Sequence, residues 1–318
     1  MKTYEPKPLF LERMSALLGK DMDSYLEFIK KPLAKSIRCN TLKISPEELL
    51  KRLRSKGWSI DQPFKDNPEI MIIKNDLAPG EIGRSMEHLL GYYYIQEIAS
   101  MLSVLALKPG PGELVLDIAA APGSKTTQIA AVMKNTGTII ANDVSLKRLK
   151  ILASNIERCG ATNTIITKKD GIALCRRLKE QGFQFDKILV DAPCSGEGTL
   201  RSSPVTYLMW NPRTIKILSR LQKGLLASAV EILKPNGEIV YSTCTHAPEE
   251  NEEVVDFVLK EFGNDINIEK INLPVKCRPG ITNWSDNNYN KNIEKSCRIY
   301  PQDNDTEGFF IAKMRRVK

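Results

Sequence analysis

From residue 113 onward, short apolar runs alternate with amphipathic stretches. Residues 113–119, 138–143, 164–168, 187–191 and 238–243 are brief runs rich in Val, Ile, Leu and Ala, each bounded by polar or turn residues, and they read as strands. Between them, apolar residues recur at three- and four-residue steps, the spacing of a helix that buries one face. This alternation predicts an α/β domain built on a doubly wound, mainly parallel sheet. Residues 297–300 and 308–314 are strand-like with no helical pattern between them, so an antiparallel pair is expected to finish the sheet.

The preceding stretch reads differently. Residues 10–31 alternate apolar and charged positions at helical spacing, and 36–42 form a strand pattern. Ser45-Pro46-Glu47-Glu48 places a cap, a first-turn proline and early acids before Leu49, Leu50 and Leu53, which predicts a helix ending at Gly57. With a further strand at 70–74, residues 1–85 form a small N-terminal α/β domain, and 86–318 the larger domain. Ile95, Ile98, Leu102 and Leu105 predict an amphipathic helix over 94–107 leading into it, with Tyr92, Tyr93 and Tyr94 read as core aromatics at its entrance.

Composition narrows the partners. Lys and Arg number 46 against 38 Asp and Glu, for a net charge of +8, and half of that excess falls in residues 1–85. Such a balance suits a polyanion such as nucleic acid. The opening residues lack an apolar signal core, and the longest apolar stretch, 89–107, is interrupted by Gln96 and Glu97, so neither export nor membrane spanning is expected. Seven cysteines without a regular framework suit a reducing cytoplasm where thiols stay free. With no C-x-x-C pair and only His88 and His246, a metal site is not expected.

In open α/β sheets ligands bind beyond the carboxyl ends of the strands. The first such position carries Asp117-Ile-Ala-Ala-Ala-Pro-Gly-Ser-Lys-Thr126, a run of small residues opening a helix, which lets a nucleotide-type cofactor approach the backbone. The pattern G-x-G-x-x-G is absent, and Lys125 follows Ser124 where a P-loop has glycine, which disfavours a dehydrogenase or an NTPase. Asp143 ends the second strand, at a spacing suited to ribose hydroxyls, with Arg148 placed to orient it. Asp170 follows the third strand, where it either holds an adenine amino group or caps a helix. The fourth strand ends in Asp191-Ala-Pro-Cys194 and the fifth in Ser-Thr-Cys244, so two cysteines share the sheet edge with the cofactor loop. Cys39, Cys159 and Cys175 fall on predicted strands or helices and read as inert core residues.

DIAAAPGSKT, ANDVSLKRL, KKDG, DAPCSGEGTLRSSP, YSTCTHAPEENEEVV and DTEGFFIAKMRR, in that order, resemble the motifs of the Nop/Sun (Fmu-like) family of RNA cytosine-5 methyltransferases. The resemblance spans about residues 92–316 and implies a Rossmann-like class I methyltransferase that uses S-adenosyl-L-methionine. Carbon-5 of cytosine is too weak a nucleophile to attack a methyl sulfonium unaided. A thiolate adding to carbon-6 activates it, while a carboxyl group stabilises charge at ring nitrogen 3 and a base later removes the carbon-5 proton. Cys194 would be the first choice of nucleophile by likeness to the Pro-Cys of DNA cytosine-5 methyltransferases. The resemblance assigns that role to Cys244, gives Cys194 release of the product, and makes Asp191 and Lys125 the remaining catalytic residues. It also implies a cofactor set of Ala119, Ala120, Ala121, Pro122, Gly123, Ser124, Lys125, Asp143, Arg148, Asp170 and Asp191. Arg201, Pro204 and Trp210, in the loop after Cys194, are expected to approach the RNA.

Two departures stand out. Many relatives read Cys-Ala-Ala-Pro-Gly-Gly-Lys where this chain has Ala119 to Lys125, a change that keeps the residues small. The N-terminal domain resembles an RNA-recognition module but lacks its aromatic signature. Transfer RNA is the expected substrate, reached by base flipping; the same chemistry on ribosomal RNA or DNA and a non-catalytic RNA-binding assembly factor are the alternatives.

Overall fold

The computed structural model describes residues 5–317. Its N-terminal part runs α1 (Pro8–Leu18), α2 (Met22–Phe28), β1 (Lys35–Cys39), α3 (Pro46–Ser55), β2 (Ile60–Asp61), β3 (Ile70–Ile73), the short turns α4 (Glu81–Arg84) and α5 (Met86–Leu89), then β4 (Tyr93–Ile95). The strands form an antiparallel sheet in the order β2-β3-β1-β4. As predicted, Ser45 caps α3 by accepting the Glu48 amide, and Leu49 and Leu53 are buried beneath it. The stretch 10–31 instead breaks into two helices, because Gly19 takes a positive φ of 54° that ends α1.

The helix expected from Tyr94 starts only at Ile98. Tyr93–Ile95 is a strand that pairs with β1, and Ile95, placed in the helical stripe by spacing, is exposed. Hydrogen bonding to an open sheet edge outweighed a periodicity that four residues shared by chance. A division after residue 85 therefore leaves on the catalytic side a strand that completes the N-terminal sheet.

The larger part continues as α6 (Ile98–Leu107), β5 (Leu114–Asp117), α7 (Ser124–Val132), β6 (Thr138–Asn142), α8 (Leu146–Cys159), β7 (Thr164–Thr167), α9 (Gly171–Glu180), β8 (Phe185–Asp191), α10 (Thr206–Met209), α11 (Pro212–Val230), β9 (Leu233–Thr243) and α12 (Glu252–Phe262). It closes with β10 (Ile266–Glu269), β11 (Arg278–Pro279), the small hairpin β12 (Asn283–Trp284) and β13 (Asn287–Asn288), β14 (Cys297–Ile299), α13 (Pro301–Asn304) and β15 (Phe309–Arg316). Strands β9, β8, β5, β6 and β7 are parallel, and β15 adds antiparallel to β9, with β14 and β10 sharing its outer edge. The fold is the expected Rossmann-like one with an antiparallel end, the single turn of α13 intervening between β14 and β15. Apolar clusters fill both faces of the sheet.

Two further features depart from the reading of the sequence. Cys277 and Cys297 form a disulfide, so the thiols are not all free. Helices α1 and α2 pack through Phe10, Met14, Leu18 and Tyr25 against Leu200, Tyr207 and Trp210, and thus belong by packing to the loop after Cys194.

Candidate active site

The carboxyl ends of β5, β6, β8 and β9 open on one edge. After β5 the small-residue loop folds tightly enough for the Ala120 amide to donate to Asn142 O at 2.7 Å, and Gly123, at φ 105°, turns the chain into α7. A Cβ at Gly123 would stand 2.8 Å from Leu152 Cδ1. A cleft of about 270 Å³ is lined by Ala119, Ala121, Asp143, Arg148, Asp170, Asp191, Cys194 and Cys244. Across the loop, a hollow of about 240 Å³ is lined by Ala120, Pro122, Ser124 and Lys125, again with Ala119, Ala121, Arg148 and Asp191. Of the expected cofactor residues, only Gly123 lines neither, acting instead as the turn.

Asp143 is buried, and one oxygen accepts the Ser145 amide at 2.9 Å. The other lies 3.1 Å from Arg148 Nη1 yet, itself buried, receives no aligned hydrogen bond. Asp170 caps α9 through the Ala173 amide and also lines the cleft. An aminoacyl nucleoside such as S-adenosylmethionine needs such a set: a ribose acceptor, an acid near the base and a small-residue loop for the carboxylate of its amino-acid tail.

Asp191 joins the two hollows. Lys125 Nζ donates to it at 2.7 Å and to Ser100 Oγ at 2.9 Å, while Ser242 Oγ donates to the other Asp191 oxygen at 2.9 Å. Beneath them Asp117 accepts from Thr126 Oγ1 at 2.7 Å, and burial pushes its carboxyl up to about 7. Ser100 and Ser242 escaped the sequence reading, though Ser242 stands inside the motif that singled out Cys244.

Cys194 Sγ and Cys244 Sγ lie 3.2 Å apart, each half-buried. The two loops are pinned together: Ser195 Oγ meets Thr245 Oγ1 at 2.8 Å, and the Gly198 amide donates to Cys244 O at 2.9 Å. Gly198 must be glycine, since a Cβ there would sit 2.2 Å from Gly308 O. The hydrogen bond with Cys244, followed by burial, raises the Cys194 thiol well above its ordinary value. The two sulfurs thus differ in setting, Cys194 being the one whose proton is held by this contact and by burial. Cys39 and Cys175 are pushed up to about 12 by burial, and Cys159 is raised by the same cause, as core thiols should be. His246, stacked on Tyr300 at 4.8 Å, is driven down to about 3 by burial and does not serve as a base.

The loop after Cys194 is not arranged as expected. Trp210 is 3% exposed and donates to Glu197 Oε1 at 2.7 Å. Arg201 is likewise buried, bonded to Asp305 Oδ1 at 2.7 Å, Pro32 O at 2.8 Å and Thr306 O at 3.1 Å. Both hold the loop in place and leave no side-chain surface for RNA; Pro204 alone of the three is exposed. Aromatic and basic side chains in a loop look alike in sequence whether they face solvent or anchor it.

Sheet order, cleft and loop chemistry are those of a Rossmann-like methyltransferase. Residues 104–315 match the 16S rRNA methyltransferase RsmB/F family, and residues 7–98 the N-terminal domain of 16S rRNA methyltransferase RsmF. The chain belongs to this RsmB/F (Nop/Sun) family of RNA cytosine-5 methyltransferases. It is 41% identical over 308 residues to the tRNA (cytosine(49)-C(5))-methyltransferase of Pyrococcus abyssi, covering 97% of this chain and 96% of that one. It is also 41% identical over 298 residues to ribosomal RNA small subunit methyltransferase F of Aliivibrio salmonicida, covering 93% of this chain but 60% of the relative. The chain thus spans about three fifths of the rRNA relatives it matches. Among solved structures, a methyltransferase homolog from Pyrococcus horikoshii superposes with a TM-score of 0.85 at 37% identity, covering 98% of this chain and 95% of that one. NSun6 from Pyrococcus horikoshii with SFG superposes with a TM-score of 0.84 at 26% identity, covering 98% of both chains.

Proposed function

We propose that the protein transfers a methyl group from S-adenosyl-L-methionine to carbon-5 of cytosine in RNA, with Cys244 as a transient covalent nucleophile. The observation that carries this reading is the pair of sulfur atoms 3.2 Å apart on the wall of the cofactor cleft, next to Asp191. The cofactor supplies an electrophilic methyl; the chain's own residues do the rest. Cys194 Sγ stands beside Cys244 Sγ, the sulfur that attacks as a thiolate when a flipped cytosine arrives. Cys244 then bonds to carbon-6, and Asp191 passes a proton drawn from the Lys125 ammonium to ring nitrogen 3 and takes it back when the ring double bond re-forms.

Once Cys244 is a thioether, the largest cause of the raised Cys194 pKa is gone, and Cys194 can lose its proton to water. It then takes the carbon-5 proton. Those electrons restore the carbon-5–carbon-6 double bond, and the carbon–sulfur pair returns to Cys244, which regenerates the starting state with one proton released.

Transfer RNA is the substrate we favour, because the tRNA relative is matched over nearly its whole length. Ribosomal RNA is the second reading, favoured by the match to the RsmF N-terminal domain. A cytoplasmic site of action is part of this reading. For the RNA face, Arg201 and Trp210 give way to the outer stripe of α10 and α11, where Leu208, Met209 and Ile217 are 57–67% exposed. Arg213, Lys216 and Arg220 flank them, also exposed, and suit phosphates. The test is transfer of labelled methyl from S-adenosyl-L-methionine to total RNA fractionated by size. Label in 5-methylcytosine of the small fraction supports the tRNA reading, label in the large fraction supports rRNA, and none in either defeats the enzymatic proposal in favour of a binding factor.

A further inference from the structure

Glu250 and Gln222 lie outside the mechanism above, and both are fully buried. Gln222, on α11, donates through Nε2 to Pro193 O at 2.8 Å and to Glu250 Oε2 at 2.8 Å. That same carboxylate oxygen accepts the Ser195 amide at 3.0 Å. The backbone is therefore gripped on both sides of Cys194 by one hydrogen-bonded pair. Tyr241 Oη donates to Glu250 O, which ties the pair back to β9, the strand that carries Cys244.

The arrangement is costly. Gln222 Oε1 and Glu250 Oε1 are buried without partners, and an unmade buried hydrogen bond is destabilising. Burial pushes the Glu250 carboxyl up to about 7. An apolar pair would avoid the cost but would release both Pro193 O and the Ser195 amide.

We infer that Glu250 and Gln222 are positioning residues that hold the Cys194 thiol against Cys244, so that the methylated base can be released. This rests on the covalent reading proposed above. Cys244 is carried by β9 and reaches carbon-6 without the clamp; proton removal needs Cys194 within reach, and displacement by about an ångström costs on the order of a hundredfold.

Glu250→Ala should leave single-turnover methyl transfer within several-fold of wild type while multiple turnover falls at least about tenfold. A methylated protein–RNA adduct through Cys244 should accumulate on a denaturing gel. Glu250→Gln keeps an acceptor for both donors and should restore release. Gln222→Ala, which cuts the Pro193 side alone, should show the same split should Glu250→Ala fail to fold. A second arm needs neither RNA nor cofactor: iodoacetamide should alkylate Cys194 several-fold faster in Glu250→Ala than in wild type or Glu250→Gln, read by peptide mass. Equal loss of single and multiple turnover without an adduct overturns the inference, as does unchanged alkylation of Cys194. Loss of methylation in wild type with the alkylation pattern intact counts against the proposed activity and leaves the clamp standing.

Discussion

Arg38 offers a quantitative test of how the two parts of the chain are joined. It sits on β1 with 1% exposure, and its guanidinium crosses into the catalytic part. It donates to Ser124 O at 2.7 Å, to Thr127 Oγ1 at 2.9 Å and to Gln96 Oε1, so the first turn of α7, just past the cofactor loop, hangs from the N-terminal sheet. None of these partners is charged. Burial accordingly lowers Arg38 to about 10, which corresponds to roughly 3 kcal/mol spent on holding the charge. Against this stand three hydrogen bonds from a charged donor, worth about 2 kcal/mol each. Arg38→Met removes both contributions, for a net destabilisation of about 3 kcal/mol and a fall in Tm of roughly 5–10 °C. With the start of α7 released, S-adenosyl-L-methionine should bind about tenfold more weakly by calorimetry. A melting temperature within about 2 °C of wild type, together with an unchanged Kd, would refute the argument.

The covalent mechanism predicts that Cys244→Ala abolishes methylation, while Cys194→Ala traps an RNA adduct that resists denaturing electrophoresis; an adduct that needs Cys194 and not Cys244 would reverse the roles. Asp143→Asn keeps the turn bond to Ser145 but weakens ribose binding, so cofactor affinity should drop about tenfold by calorimetry, with melting unchanged; an unaltered Kd removes Asp143 from the cofactor set. Asp117 and Glu250 both hold their proton more tightly in the folded chain, at about 7, than the ordinary carboxyl range allows unfolded. The stability that these two and Glu97, likewise pushed up to about 7 by burial, contribute is complete below about pH 4 and is lost as pH rises through 7. His246, driven down to about 3, works the other way only up to about pH 6.5, so Tm should fall by roughly 5 °C between pH 5.5 and 8. A flat or rising profile over that window contradicts it.

Much of the site is legible in the sequence because its chemistry is local. Asp117 to Lys125, Asp191 to Cys194 and Ser242 to Cys244 each sit directly after a strand, and strand ends in a parallel sheet converge on one edge. Contacts made at long sequence separation left no such trace. Ser100, which shares the Lys125 ammonium with Asp191, is one serine among many in a helical pattern, and Arg38 is one basic residue of a basic segment. Trp210 and Arg201 misled for the same reason: their residue types fit RNA, but burial beneath α1 and α2 was decided by segments some two hundred positions away.

The order of chemical groups along the chain and the doubly wound topology were settled by sequence alone, since periodicity and strand-end motifs depend on neighbours within a few residues. The 3.2 Å separation of the two sulfurs, the raised thiol of Cys194, the strand character of Tyr93–Ile95 and the Cys277–Cys297 bond were settled only on folding. Each depends on what packs against it from elsewhere, and distance, burial and pairing in three dimensions are not properties of any one segment.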